Sequence, residues 1–358
     1  MNKKIRVLVV DDSALMRAVL VELINAAPDM QVVATACNGI EARESVRAVN
    51  PDVVTLDVDM PQMDGLQFLS EMMRLRPLPV VMISGLTERD SDATLKALEL
   101  GAVDFVTKPR LDPVGGIQNH ADEICEKIRI ATQARRPGAA GGGAGRVEPP
   151  SLLGSVLAGK TLQERVVFIG ASTGGTEAIR EVLIRFPREM PGILIVQHMP
   201  EMFTGSFARR LDSLCSVHVK EAEQGERVRP GTAYIAPGHS HLLVRRVPGG
   251  FQCELSRAEP VNRHRPSVDV LFHSAAAQAG RQAVGVMLTG MGKDGAQGML
   301  AMRDAGAHNI CQDQESCVVW GMPREATING AAHEVASLRD IPLRVIQSLR
   351  GTDAPRRA

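Results

Sequence analysis

Aromatic side chains are scarce in this 358-residue sequence: they make up 3% of it, with one Trp and one Tyr. Proteins that bind single-stranded nucleic acid stack the bases on aromatic rings, and such a platform has little to be built from here. The chain also lacks a net charge, because 41 Lys and Arg balance 41 Asp and Glu. Both features disfavour nucleic acid as a partner.

Long hydrophobic runs and paired cysteines are missing as well. No apolar run approaches the ~18 to 20 residues of a membrane-spanning helix, and Met1–Lys4 lead into a strand pattern rather than a signal peptide. We therefore expect a cytoplasmic protein without direct membrane insertion. None of the six cysteines forms a C-x-x-C pair, which disfavours a zinc or redox site and predicts free thiols.

The length and the 44% apolar content predict two domains, because one hydrophobic core seldom grows beyond ~250 to 300 residues. The charges differ between the two halves. Residues 1–128 hold 13 Lys and Arg against 20 Asp and Glu, and the remainder holds 28 against 21. The halves can therefore attract each other, and a basic second half suits an acidic protein substrate, although solvated faces without a partner remain an alternative.

Short apolar runs alternate with helical patterns in residues 5–134, which predicts five buried parallel strands covered by helices on both faces. A Gly- and Ala-rich stretch follows at 135–146 and marks a domain border. Beyond it, a second α/β alternation begins at Arg165, with an antiparallel hairpin turning at Pro248-Gly249-Gly250. We expect these segments: domain 1–134, flexible linker 135–164, domain 165–350 and disordered tail 351–358.

Polar residues mark the ends of four strands in the first domain: Asp11 and Asp12, Asp57, Ser84 and Lys108. The carboxyl ends of parallel strands meet at one edge of the sheet, where crowded carboxylates favour Mg²⁺. Such a site suits phosphoryl transfer: Asp57 as nucleophile, Lys108 paired with the phosphoryl group and the Ser84 hydroxyl bonded to it. Thr87 is the alternative hydroxyl, but Ser84 directly ends its strand.

The motifs VDDSALMR, TLDVDMPQMDG, ISG and DFVTKP resemble the receiver domain of two-component response regulators. The resemblance implies a flavodoxin-like (βα)5 fold with Mg²⁺ held by Asp11, Asp12 and Asp57. It implies phosphorylation of Asp57 by a partner histidine kinase. It also implies that Ser84 and Phe105 rearrange on phosphorylation, although simple packing of Phe105 remains equally open.

The second domain opens on a strand followed by Gly170-Ala-Ser172-Thr-Gly-Gly175, which matches G-x-S-x-G, a serine on a sharp strand-to-helix turn. The same glycines can cradle a phosphate or a dinucleotide. A dinucleotide fold places an acidic residue after the next strand. Here that strand ends at His198, and an imidazole is the base that a serine nucleophile needs.

A carboxylate must orient this imidazole, and Asp294 follows another strand in MGKDG. The chain order Ser172, His198, Asp294 differs from that of the α/β-hydrolases, chymotrypsin and subtilisin. Backbone amides near Thr173 and Met291 are candidates for the oxyanion donors, because Gly290 and Gly292 let that loop approach closely. We predict a doubly wound, mainly parallel α/β hydrolase domain that carries this triad.

The motifs GASTGG, VQHMP, YIAPG, HRPSVDVLF, LTGMGKDGA and VVWGMP resemble the catalytic domain of the protein-glutamate methylesterases. The resemblance assigns the same three triad residues and no cofactor to this domain. It implies hydrolysis of glutamyl methyl esters, and deamidation of glutamines, on the cytoplasmic helices of methyl-accepting chemoreceptors in chemotaxis-type signalling. We further expect the unphosphorylated receiver to cover the Ser172 pocket and phosphorylation to open it.

Two alternatives and several other residues complete the sequence analysis. A domain that only binds receptors or a nucleotide is disfavoured by the intact triad, and a DNA-binding regulator is disfavoured because no helix-turn-helix follows the linker. His239 and His241 resemble a metal pair in spacing, but no third ligand lies close in sequence. For His264, Arg265 and Asp269 the sequence indicates no role beyond supporting the pocket floor.

Overall fold

The computed structural model describes residues 3–85, 87–108, 116–134 and 159–350. The chain divides into two compact units, Met1–Arg136 and Pro137–Ala358, and each is described here by itself. Within the described ranges, no helix is both long enough and apolar enough to cross a membrane.

The first unit alternates strands with helices throughout. Its strands are β1 (Ile5–Val10), β2 (Met30–Ala36), β3 (Val53–Asp57), β4 (Val80–Ser84) and β5 (Asp104–Thr107). Its helices are α1 (Ala14–Ala26), α2 (Gly39–Val49), α3 (Gly65–Leu75), α4 (Glu88–Glu99) and α5 (Gly116–Gln133). The strands pair in parallel in the order 2-1-3-4-5, which confirms the flavodoxin-like prediction.

Short polar side chains fix where these helices begin. Ser13, Asn38, Asp64 and Thr87 each accept a hydrogen bond from a backbone N–H in the first turn of the following helix. Thr87 and Asp90 form a reciprocal capping box, so α4 begins at Glu88. The Thr87 hydroxyl is therefore engaged at a helix start.

The second unit contains a larger sheet with helices around it. Its strands are β6 (Val166–Ala171), β7 (Gly192–Gln197), β8 (His218–Glu221), β9 (Thr232–Ile235), β10 (His241–Val247), β11 (Gly250–Ser256), β12 (Ala283–Met287), β13 (His308–Gln312) and β14 (Glu334–Ala336). Its helices are α6 (Gly159–Glu164), α7 (Gly175–Leu183), α8 (Glu201–Leu214), α9 (Val268–Gln278), α10 (Ala296–Asp304), α11 (Met322–Ile328) and α12 (Ile341–Arg350).

Seven of these strands form one parallel sheet in the order 14-13-12-6-7-9-8. Strands β10 and β11 form a separate antiparallel hairpin, as the sequence predicted. From β6 the chain passes first to β7, which pairs with one edge of β6. It returns later to β12, which pairs with the other edge of β6. The direction of winding therefore reverses between β6 and β12, and in open α/β sheets the crevice at such a point collects functional groups.

One segment differs from its sequence prediction. Residues 159–164 lie in the range expected to be a flexible linker, but they form helix α6. The reason is composition, since Lys160, Leu162, Gln163 and Glu164 are good helix formers and the Gly-rich part of the linker has already ended. The rest of the predicted linker, 135–158, and the predicted disordered tail, 351–358, lie outside the described residues.

Helix α1 offers a matched test of core packing in the first unit, because Leu20 is fully buried while Leu15 is 60% exposed. Leu20→Ala leaves a cavity between α1 and the sheet and should lower the free energy of unfolding by about 2–5 kcal/mol. Leu15→Ala on the same helix should change it by less than about 0.5 kcal/mol. Urea titrations of both full-length variants measure this, and equal losses would contradict the packing.

Candidate functional site

Three carboxylates meet at the carboxyl edge of the first sheet. Oxygen atoms of Asp11, Asp12 and Asp57 lie within 4.8 Å of one another. Lys108, which directly follows β5, brings its Nζ to 2.7 Å from Asp57 Oδ2 and 3.2 Å from Asp11 Oδ2. Four of the five residues that the sequence placed at strand ends, namely Asp11, Asp12, Asp57 and Lys108, therefore form one cluster.

The electrostatics of this cluster favour a bound cation. Burial raises the pKa of Asp57 to about 6, against the hydrogen bond from Lys108, and the neighbouring Asp11 carboxylate adds to the rise. Burial also raises the pKa of Asp11, although its Oδ2 lies 3.2 Å from the Lys108 ammonium. Three carboxylates at this spacing fit Mg²⁺, which prefers oxygen ligands together with water.

The predicted switch residues occupy buried positions beside the cluster. Ser84 is fully buried, and its hydroxyl accepts a 2.6 Å hydrogen bond from Thr94 Oγ1. The side chain of Phe105 is buried, with Lys127 Nζ 5.3 Å from the centre of its ring. The ring therefore points into the unit, and both Ser84 and Phe105 remain predictions as switch residues.

In the second unit, Ser172 follows β6 at the reversal point of the sheet. Gly174 adopts a φ of +75° and lets the chain turn from the strand into α7, which begins at Gly175. A Cβ on Gly290 would lie 2.8 Å from Ser172 Cβ and 3.0 Å from Ser172 N. The loop after β12 therefore packs directly against the serine, which only a glycine at position 290 allows.

His198 follows β7, the neighbour of β6. The last paired positions of these two strands are Ala171 and Gln197, so Ser172 and His198 extend side by side beyond them. The His198 backbone N–H donates to Ala171 O at 3.1 Å, and Gln197 Nε2 donates to Ser172 O at 2.9 Å. These bonds couple the backbone positions of the serine and the histidine.

Asp294 orients the His198 ring. Its Oδ2 lies 2.8 Å from His198 Nε2, and both side chains are more than nine-tenths buried. His198 Nδ1 is buried without a hydrogen-bond partner among the described residues. With Nε2 committed to the carboxylate as a donor, Nδ1 is the nitrogen that can accept a proton.

Asp294 is held as a carboxylate by a dense set of donors. Besides His198, it accepts hydrogen bonds from Asn262 Nδ2 (2.7 Å), Ser267 Oγ (2.8 Å) and Val268 N (2.6 Å). Burial alone would raise the pKa of Asp294, but these bonds, led by the one from His198, hold it well below its usual range. The carboxylate therefore stays ionised at neutral pH and fixes the tautomer of His198.

The loop after β12 also places the candidate oxyanion donor Met291. The Ser172 N–H is already used by Thr289 O at 3.1 Å, and Gly290 is bonded to Val319, Gly321 and Met322. No acceptor within the described ranges takes the Met291 N–H. Thr173, the other candidate, lies between Ser172 and the start of α7 and is buried. Both assignments remain predictions.

The structure adds residues that sequence reasoning missed. Asn262 and Ser267 donate hydrogen bonds to Asp294, and Gln197, the last residue of β7, donates one to Ser172 O. No periodic signal in the sequence marks these three residues. The His264 ring stacks on the His198 ring, with centroids 3.7 Å apart and planes inclined by 12°. Asp269, expected only to support the pocket floor, accepts hydrogen bonds from Asn262 Nδ2 and Gly298 N.

The histidine pair at positions 239 and 241 has a structural explanation. His241 is buried, with Nδ1 3.2 Å from Ser267 N and Nε2 3.0 Å from Glu259 O. His239 Nδ1 lies 2.7 Å from Ser240 Oγ. With both ring nitrogens of His241 occupied by protein groups, this pair holds the loop before α9 rather than a metal.

Comparisons with known proteins agree with this architecture. Residues 167–345 match the family model described as CheB methylesterase, and residues 7–113 match the response regulator receiver domain. Similar chains in Thiobacillus denitrificans and Nitrosomonas europaea, both named protein-glutamate methylesterase/protein-glutamine glutaminase, are each 58% identical, covering 96% and 98% of both partners respectively. The crystal structure of the Thermotoga maritima CheB methylesterase catalytic domain is 41% identical with a TM-score of 0.50, covering 51% of this chain and 97% of that one.

The charge on Asp294 should make stability depend on pH. Because the pKa of Asp294 is lower in the folded than in the unfolded state, its charge stabilises the fold above about pH 4, and this contribution is lost as the pH falls toward the folded pKa. Asp294→Asn should therefore be less stable than the parent at pH 7, with the gap narrowing below about pH 5. Urea unfolding between pH 7 and 3 tests this, and a constant gap would refute it.

Binding of Mg²⁺ should depend on the acidic cluster of the first unit. Asp12 is exposed, so Asp12→Ala removes a candidate ligand without opening the core, and should weaken Mg²⁺ binding by at least ~10-fold. Asp52→Asn is the control, because Asp52 precedes β3 at the opposite edge of the same sheet. Calorimetric titration with Mg²⁺ measures both, and equal affinity of Asp12→Ala and the parent would remove Asp12 from the site.

Proposed function

The chain belongs to the CheB methylesterase family and carries a response regulator receiver domain, and on that premise we propose a phosphorylation-activated protein-glutamate methylesterase and protein-glutamine glutaminase. Its substrates are glutamyl methyl esters and glutamines on the cytoplasmic helices of chemoreceptors, and its role is to reset adaptation in chemotaxis-type signalling. The phosphodonor is a histidine kinase.

One observation carries the catalytic part of this proposal. The imidazole of His198, at the strand end next to Ser172, is bonded through Nε2 to an ionised Asp294 and keeps Nδ1 available. An alcohol, an imidazole and a carboxylate in this relation perform acyl transfer. This arrangement gives a poor nucleophile a base without requiring any cofactor in the second unit.

The reaction follows from these groups. Ser172 Oγ attacks the side-chain carbonyl carbon while His198 Nδ1 takes the hydroxyl proton, and the imidazolium is stabilised by Asp294. His198 then returns the proton to the leaving group, which departs as methanol from an ester or as ammonia from an amide. Water, deprotonated by the same nitrogen, then attacks the acyl-serine. The bond between the acyl carbon and Ser172 Oγ breaks, His198 returns the proton to Oγ, and a free glutamate side chain is released.

The negative charge on the tetrahedral oxygen needs donors that are in place beforehand. The Met291 N–H, supported by the packed Gly290 loop, and the Thr173 N–H near the start of α7 are the groups we assign to it. Donors fixed by surrounding structure need no reorganisation when charge develops, and the loss of one typically costs ~100- to 1,000-fold in rate. The G-x-S-x-G turn and the β12 loop would thus act together.

In the first unit, Asp57 is the residue that accepts the phosphoryl group. Bound Mg²⁺ would supply charge neutralisation for that transfer, with Asp11, Asp12 and Asp57 as its protein ligands. Lys108, now bonded to Asp57 Oδ2, is positioned to pair with the phosphoryl oxygens instead. Ser84 would exchange its bond with Thr94 for one to the phosphoryl group, and the buried Phe105 ring would respond.

Activation requires that phosphorylation favour an esterase-competent state by a few kcal/mol over the resting one. The presence of a receiver domain and an esterase domain in one chain supports this coupling. Phosphorylation at Asp57 would shift the population toward the state in which Ser172 is accessible to substrate.

The test is release of methanol from methylated receptor fragments by the full-length protein. The parent should hydrolyse the ester and should accelerate when Mg²⁺ and a small-molecule phosphodonor are added. Ser172→Ala should abolish turnover, a loss of several powers of ten, and still become phosphorylated at Asp57, because the two sites lie in separate units.

Asp57→Asn is the matched variant for the regulatory part. It should retain the basal esterase rate and lose the acceleration by the phosphodonor. Turnover that persists in Ser172→Ala would discard the triad. Acceleration that persists in Asp57→Asn would discard activation through this residue, and labelling of Ser172 by a serine-reactive fluorophosphonate without any ester turnover would indicate another substrate.

A further inference from the structure

We propose that the tight turn Val261–His264 is a positioning device for the catalytic pair: Asn262 holds Asp294, and His264 holds the face of the His198 ring. This inference deepens the proposed function and rests on its assignment of His198 and Asp294. Neither Asn262 nor His264 reacts with substrate in this scheme, so both are positioning residues.

The backbone of the turn is closed and unusual. Val261 N donates to His264 O at 3.1 Å, and His264 N donates to Val261 O at 2.9 Å. Both central residues have positive φ, +52° at Asn262 and +67° at Arg263, as a two-residue type I′ turn requires. Asn tolerates this region better than most residues, which favours it at position 262.

The Asn262 side chain joins two buried carboxylates. Its Nδ2 lies 2.7 Å from Asp294 Oδ1 and 2.7 Å from Asp269 Oδ2, so each amide hydrogen is given to a different carboxylate. Asp269 lies close to Asp294, because its own N–H is 3.4 Å from Asp294 Oδ1. Burial raises the pKa of Asp269, and repulsion from the Asp294 carboxylate adds to the rise. The neutral amide of Asn262, which has two N–H donors, therefore holds both the Asp294 and the Asp269 carboxylates in place.

His264 contacts the face of the His198 ring, whereas Asp294 contacts the edge of the ring at Nε2. The edge of the His198 ring is committed, with Nε2 on Asp294 and Nδ1 reserved for the serine proton, so rotation of the ring is resisted by contact with its face. The stacked His264 ring at 3.7 Å makes that contact.

One short turn therefore acts on both partners of the His198–Asp294 bond. Asn262 and His264 are two residues apart, and the hydrogen-bonded turn fixes the distance between their backbones. A displacement of the turn would move the donor of Asp294 and the ring over His198 together. Small errors of this kind are costly in catalysis, since an error of 1 Å can lower a rate by ~100-fold.

The experiment compares full-length variants by two readouts, the rate at which a fluorophosphonate labels Ser172 and the kcat and KM for ester hydrolysis. His264→Ala should lower the labelling rate and kcat by at least ~10-fold with little change in KM, since the substrate site is untouched. His264→Phe keeps a flat ring over His198 and should recover most of this loss. His333→Ala is the control, because His333 stacks on His308 near the amino end of β13, away from Ser172.

Asn262→Gly isolates the side chain from the turn, because glycine adopts positive φ freely and keeps the backbone geometry. It should lower kcat and the labelling rate at least ~10-fold while its thermal midpoint shows that the fold is retained. Unchanged labelling in His264→Ala, equal loss in His264→Phe and His264→Ala, or unchanged labelling in Asn262→Gly would each overturn the proposal.

The labelling readout keeps this test separate from the proposed function. If the parent labels at Ser172 but does not hydrolyse glutamyl methyl esters, the substrate assignment fails, and the labelling rates of the variants still decide the role of the turn. If the parent does not label at all, the triad itself fails, and the turn proposal falls with it.

Discussion

The hydrogen bond between His198 Nε2 and Asp294 Oδ2 is the contact around which the second unit is organised. It buries a carboxylate that would be costly to leave unpaired, and that cost explains the surrounding donors. The first turn of α9 supplies the Ser267 hydroxyl and the Val268 N–H, and the neighbouring turn supplies Asn262. Helix α9 can approach because Gly170, in β6, leaves room for Val268 and Phe272.

Both units carry charged groups at the carboxyl edge of a parallel sheet, but the charges are balanced to different degrees. In the first unit, three carboxylates and Lys108 crowd the carboxyl edge, and the raised pKa values of Asp11 and Asp57 show that the charges are incompletely balanced. In the second unit, both oxygens of the Asp294 carboxylate accept hydrogen bonds and its pKa is lowered. The first arrangement is suited to receive a cation and a phosphoryl group, and the second to hold one imidazole in one tautomer.

The sequence predicted the parts of the fold that depend on local patterns. Buried strands such as β3 and β7 are mainly apolar runs, and their ends are visible in the sequence. Asp57 was identified as the last residue of β3, and His198 as the residue that follows β7. Features that depend on tertiary contacts were not accessible. Residues 159–164 formed a helix within the expected linker. The turn that brings Asn262 to Asp294 and His264 to His198 has no periodic signature in the sequence.

The position of β12 in the larger sheet bears on how the chain is synthesised. Strand β6 pairs with β7, which follows it closely, but its other neighbour is β12, made more than a hundred residues later. While the ribosome is still producing the intervening segments, the apolar β6 has one open edge able to pair with a strand of another nascent chain. Contacts so distant in sequence also close slowly. The β6 edge therefore stays open to wrong pairing until translation has passed β12.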